Sequence, residues 1–159
     1  MPRDGYSNFG FFQALSPDSY ETATNGDTVD RRGYDTVTFV INIDDVDVSA
    51  ATSNIDIIME HGIPSAAGVS AWSVCTSAEI IGNGFSLGAA VTSGILYTFS
   101  ISGTSVADLE SQILEFGYRG DHRYVRLVVD SAGTADAGSV VMGAIAVLGN
   151  PANWPVNSQ

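Results

Sequence analysis

The strongest constraint on this chain is a period of two in its apolar residues. Over 35–43, Val37, Phe39, Ile41 and Ile43 alternate with Thr36, Thr38, Val40 and Asn42. Successive side chains of an extended backbone point to opposite faces, so the spacing predicts a strand with its first set in the core. Residues 54–61 repeat it, with Ile55, Ile57 and Met59 on one face and Asp56, Ile58 and Glu60 on the other. Ile58 implies that the second face is partly covered too. Ile95, Tyr97, Phe99 and Ile101 predict a further strand over 93–102.

Toward the C-terminus, Ile113, Leu114, Phe116 and Tyr118 lead into Arg119, Gly120, Asp121 and His122, and then Tyr124, Arg126 and Val128 alternate with Val125, Leu127 and Val129. Gly120 and Asp121 are turn formers, so the pattern predicts a hairpin. After a polar break at 131–138, the run 140–148 contains β-branched Val140, Val141, Ile145 and Val147 and is interrupted by Gly143. The prediction is three sequential antiparallel strands. Asp44, Asp45 and Asp47 are expected in a solvated acidic loop, because the calcium-loop pattern of spaced carboxylates around a glycine is missing. Gly33 is expected to supply a special turn conformation. A short edge strand fits 20–28, and 104–112 reads as a loop or a single helical turn.

Together these segments make about seven or eight strands separated by Gly, Ser, Asn and Asp, with no convincing long helix and no repeat of 20–50 residues. The fold class is all-β, an antiparallel β-sandwich; a closed barrel fits this length less well. At 159 residues the chain is long enough for one core. The expected organisation is an N-terminal arm at 1–19, a sandwich domain at 20–149 and a C-terminal tail at 150–159. The arm holds Tyr6, Phe9, Phe11 and Phe12, costly to leave in water, so it is expected to pack on its own domain or on a neighbour. The tail carries Trp154 and Val156 among prolines that cannot extend a sheet ladder. No stretch is apolar and long enough to cross a bilayer as a helix and no signal segment is visible, so no membrane association is expected and the mature chain is expected to be the whole chain.

Charge narrows the function. The chain has no lysine, six arginines and 18 acidic residues, a formal net charge of -12. Such a field repels a phosphate backbone, and direct nucleic-acid binding is not expected. Arg31 with Arg32, and Arg123 with Arg126, either form an interface or balance local carboxylates. Catalytic chemistry finds no foothold. His61 follows Glu60 and His122 follows Asp121, but neighbours in a strand point apart and turns commonly hold Asp and His for local bonding. Two histidines and the lone Cys75, expected to be a small buried group, leave few choices for a transition-metal site. Asp56 and Glu60 on one strand face would stand roughly 13 Å apart, beyond the roughly 5–9.5 Å of a glycosidase pair. No Gly-x-Ser-x-Gly elbow and no dinucleotide fingerprint occurs. No catalytic residue, cofactor or metal site is therefore expected, and the chain does not read as an enzyme. Trp72, Tyr97, Tyr118, Tyr124 and Trp154 are candidate stacking platforms for a glycan, the alternative partner class.

Residues 29–40 (VDRRGYDTVTFV), Trp72 followed by 78–82 (AEIIG), 115–126 (EFGYRGDHRYVR) and 147–151 (VLGNP) resemble a group of small structural proteins of tailed bacteriophages. The likeness covers most of 28–155. It implies a virion component, a capsid decoration or cement protein on the outer capsid surface, with a β-sandwich or jelly-roll-like fold and with the major capsid protein and copies of itself as partners. Head-tail, tail and head-fibre positions are the alternatives. By the exposure argument, Phe9, Phe11, Phe12 and Trp154 are the first interface candidates, with Arg31 and Arg123 as orienting charges.

Overall fold

The computed structural model describes residues 9–48, 54–66, 68–82, 94–99, 110–132 and 138–151. They form two packed antiparallel sheets, an all-β sandwich. Sheet A contains β1 (Gly10–Tyr20), β4 (Tyr34–Asp47), β7 (Ile80–Gly82), β9 (Gln112–Tyr118) and β11 (Ser139–Pro151), in the order β1-β11-β4-β9-β7. Sheet B is built on β10 (Tyr124–Ala132) and β5 (Asn54–Ser65). On its β10 side lie β2 (Thr24–Asn25) and β3 (Val29–Asp30); on its β5 side lie β6 (Gly68–Val74) and β8 (Ile95–Phe99). Among the described strands, β5 and β6 are the one consecutive pair bonded to each other. This winding, in which the chain passes repeatedly from sheet to sheet, is that of a jelly roll.

The core lies between the sheets, and the sequence periodicity locates it. Val37, Phe39, Ile41 and Ile43 of β4 face Ile55, Ile57 and Met59 of β5 and Val125, Leu127 and Val129 of β10 across it; all are at most 1% exposed. From β9, Leu114, Phe116 and Tyr118 join them. Gly33 takes a φ of 88°, the turn conformation its position called for.

Several expectations are corrected. The predicted hairpin does not form: β9 pairs with β4 and β7, while β10 pairs with β5, β2 and β3. The residues after Tyr118 carry the chain across the open end of the sandwich. The three last strands consequently alternate between sheets, because a strand buried on one face satisfies either sheet equally well and its periodicity is the same in both.

The acidic loop is also a strand. β4 runs through Asp44 and Asp45 to Asp47, and a bulge opposite Val141 and Met142 inserts one residue, so the inward positions skip from Ile43 to Val46. The bulge breaks the period of two, which is why the run reads as irregular. Finally, 10–19 is an edge strand paired along β11 and not a separate arm, and β11 continues past 149 to Pro151. In 95–99 a register shift puts Leu96 and Phe99 in the core in place of strict alternation. Tyr6, Ile101, Trp154, Val156 and 104–109 lie outside the described residues.

Candidate functional site

Where the inter-sheet connections cross, one polar cluster interrupts the apolar interior. Its first member continues the inward row Ile55, Ile57, Met59: the next odd position of β5 is His61, 9% exposed. Glu79 ends the short 3-10 turn Ser77–Glu79 that leads from β6 to β7, and His122 sits between β9 and β10. The imidazoles of His61 and His122 stack, with centroids 3.8 Å apart and planes at 15°.

Glu79 divides its two oxygens. Oε2 accepts from the Thr76 backbone N–H at 2.8 Å and from the Thr76 hydroxyl at 2.9 Å, while Oε1 lies 3.2 Å from His61 Nδ1. The Tyr118 hydroxyl is 3.3 Å from His61 Nδ1 and 3.5 Å from His122 Nδ1, and it accepts from the His122 backbone N–H at 3.3 Å. Cys75 Sγ stands 3.8 Å from His61 Nδ1. A Cβ on Gly120 would collide with the Tyr118 hydroxyl and approach Glu79 Oε1 to 2.8 Å, so only glycine lets the β9–β10 connection close over these groups.

Burial, and then the neighbouring His122, hold the His61 imidazole below its ordinary pKa against the opposing pull of Glu79. Burial pushes Glu79 upward, but the hydrogen bonds from Thr76 and the charges of His61 and His122 outweigh it, leaving its carboxyl below the ordinary range. His61 Nδ1 and Glu79 Oε1 are thus held in direct contact, the burial that disfavours a charged imidazole opposed by the carboxylate that favours it. Burial pushes the Cys75 thiol and the Tyr118 phenol each up to about 12, so neither supplies an anionic nucleophile at neutral pH. Among the described residues, His61, Glu79 and His122 are the group whose side chains could hold a metal ion, with one ligand atom from each lying within 4.8 Å of the others.

The other residues singled out in the sequence fall elsewhere. Glu60 points away from His61 to the outer face of sheet B, where Arg126 Nε and an Arg126 terminal nitrogen reach its Oε2 at 2.8 and 2.7 Å. The Arg126 guanidinium also lies 4.2 Å from the Trp72 ring centroid. Arg123 forks onto both oxygens of Asp30 and lies over the Tyr124 ring. Arg31 lies over the buried Tyr118 ring at 5.1 Å. Arg123 and Arg126 therefore balance local carboxylates; of the glycan candidates among the described residues, Tyr118 is buried and Tyr97 packs against the core, while Trp72 and Tyr124 lie across Gly62 from each other on the outer face of sheet B, each against a guanidinium. Phe9, Phe11 and Phe12 are 43%, 58% and 46% exposed at the β1 edge. Asp121 is exposed beside His122. Asp56 is buried in β5, opposite Asp130, with its Oδ1 unpaired.

Sequence reading left both histidines outside any ligand set. Two signals pointed to the cluster: His61 prolongs an inward row of Ile and Met, and Thr76 with Glu79 has the spacing of a capping box.

Fold and site together define an antiparallel β-sandwich with a polar cluster at the crossing of its sheets. Comparison of the chain with family models, curated proteins and solved structures finds no match.

Proposed function

We propose that this chain is a structural protein of a tailed-bacteriophage virion, decorating or cementing the capsid through repeated contacts with the major capsid protein and with copies of itself. A jelly roll hosts many activities, so support has to come from the surface. The observation that carries the reading is the outer face of sheet A.

Much of the outward side of this sheet is apolar where a solvated face would be polar, with Thr38, Gln13 and Glu115 among the apolar positions. In register across it run Phe11, Val147, Thr38, Gly117 and Ile81, and beside them Gln13, Ile145, Val40 and Glu115. Ile113 and Ile81 are 65% and 54% exposed, and Ile145 is 46% exposed. The Phe9 ring reaches the same face, close to Gly149. Contiguous exposed apolar surface of this kind marks interaction sites. The low charge of this face matters for a chain of net charge -12, because copies that repel at long range can approach only where few carboxylates meet. Individually modest contacts of this type hold when many act on one particle.

The test is location. Mass spectrometry of purified particles should find the chain in many copies, and antibody labelling should place it on the outer capsid surface. Labelling confined to the tail or neck moves the assignment to those structures, and absence from intact particles removes it.

A further inference from the structure

We infer that His61, Glu79 and His122 form a binding site for a single divalent transition-metal ion, Zn2+ being the best match, which ties together two of the crossovers between the sheets. This does not depend on the virion assignment. The donors suit the ion: two imidazole nitrogens and one carboxylate oxygen are ordinary zinc ligands, and hard cations such as Mg2+ or Ca2+ prefer all-oxygen shells.

The geometry is close to closure. In a tetrahedral zinc site with bonds of about 2.0–2.2 Å, ligand atoms stand roughly 3.3–3.5 Å apart. His61 Nδ1 and Glu79 Oε1 are already 3.2 Å apart, and the three donor atoms all lie within 4.8 Å of one another. Contraction by at most about 1.3–1.5 Å at the widest pair completes the set. Both Nδ1 atoms also lie on the same side of the stacked pair, each close to the Tyr118 hydroxyl at 3.3 and 3.5 Å.

Two local adjustments accompany binding. Stacked rings carry parallel in-plane lone pairs, which cannot meet at one ion, so one ring must turn about its Cβ–Cγ bond. His122 is the ring with room, since it sits partly exposed in a connection while His61 is held in β5. Binding through Nδ1 also requires that nitrogen of His61 to be unprotonated, with the ring proton carried on Nε2. Glu79 needs no rearrangement, because Thr76 occupies Oε2 and leaves Oε1 directed at the site. The three protein ligands leave a fourth position for water.

The placement gives the ion a structural consequence. His61 belongs to sheet B, Glu79 leads from β6 of sheet B into β7 of sheet A, and His122 leads from β9 of sheet A into β10 of sheet B. One ion therefore cross-links three segments, adding to the hydrogen bond that the Arg119 backbone N–H already donates to the Glu79 carbonyl at 2.9 Å.

The full chain, stripped with a chelator and dialysed, is titrated calorimetrically with Zn2+ and, separately, spectroscopically with Co2+. The expected result is one ion per chain, a visible Co2+ absorption of tetrahedral intensity, and a rise in Tm reversed by chelator. His122→Ala and Glu79→Gln are each expected to weaken Zn2+ at least tenfold, and the double variant to abolish the Co2+ band. Circular dichroism of each variant verifies the fold, and the partly exposed His122 makes its variant the one most certain to retain it. Absence of saturable binding in the native chain overturns the inference. Binding unchanged in both variants does so equally, by assigning the ion to surface carboxylates.

Discussion

His61 and His122 stack face to face at 3.8 Å although one belongs to a strand of sheet B and the other to a connection arriving from sheet A. Their contact exists because β9 and β10 lie in different sheets. A hairpin between those strands would have kept His122 at an exposed turn tip. The crossing brings it over β5 instead, with the Tyr118 hydroxyl near the Nδ1 atom of each ring.

The close approach at Gly120 makes that crossing sensitive to one methyl group. Gly120→Ala forces the connection away from Tyr118 and Glu79. The expected cost is about 1–3 kcal/mol, in the range of overpacking a filled site, measured as a lower urea midpoint with an unchanged slope. A variant as stable as the native chain would show that the connection relaxes freely.

Arg126 joins Glu60 and Trp72 on the outer face of sheet B, and its ion pair with Glu60 is mostly shielded, with side chains 16% and 18% exposed. Arg126→Ala leaves the Glu60 carboxylate partly buried without its partner and uncovers one face of Trp72. Destabilisation of about 1–3 kcal/mol is expected. Double substitution with Glu60→Gln should recover part of it, which a double-mutant cycle reads directly.

Asp56 faces Asp130 across the β5–β10 ladder, and its buried Oδ1 has no hydrogen-bond partner. Like charges directly opposite in a sheet are unfavourable, as is an unpaired buried polar atom. Asp56→Asn should raise stability by about 0.5–2 kcal/mol, seen as a higher Tm at neutral pH. A fall in Tm would mean that the carboxylate is favoured where it stands.

The Asp30 carboxyl is held below its ordinary pKa, first by the Arg123 hydrogen bonds and further by the Arg32 backbone N–H and the nearby guanidinium charges, against the opposing effect of burial. A lowered folded pKa means that the unfolded state binds more protons in this window. The stabilisation is therefore present above the ordinary carboxyl pKa and is lost as pH falls through the folded one. Both side chains are well exposed, 37% and 40%, so the effect is small and salt-sensitive. Asp30→Asn should lower stability slightly at neutral pH and leave it unchanged in strong acid. A difference that persists in acid would assign the loss to packing.

Attachment is expected to depend on the outer face of sheet A. Phe11→Asp combined with Ile145→Asp alters exposed side chains, so stability should shift by no more than about 1 kcal/mol while particle binding is lost. Sedimentation with particles lacking the native chain measures the second effect. Full binding by the variant would move the contact to another surface.

Much of this architecture could be read before folding was considered. The inward rows of β4, β5 and β10, the turn at Gly33 and the all-β class follow from side-chain alternation, a local property that any strand buried on one face carries in its own residues. Which sheet each strand joins could not be read that way, since both sheets present the same demand to the core and the choice is made by hydrogen bonds between distant segments. The bulge in β4 hid three acidic residues in a strand because a single inserted residue reverses the alternation. The His61, Glu79 and His122 cluster was least legible of all. Its members come from three separate segments, and only the packing of one sheet on the other makes them neighbours.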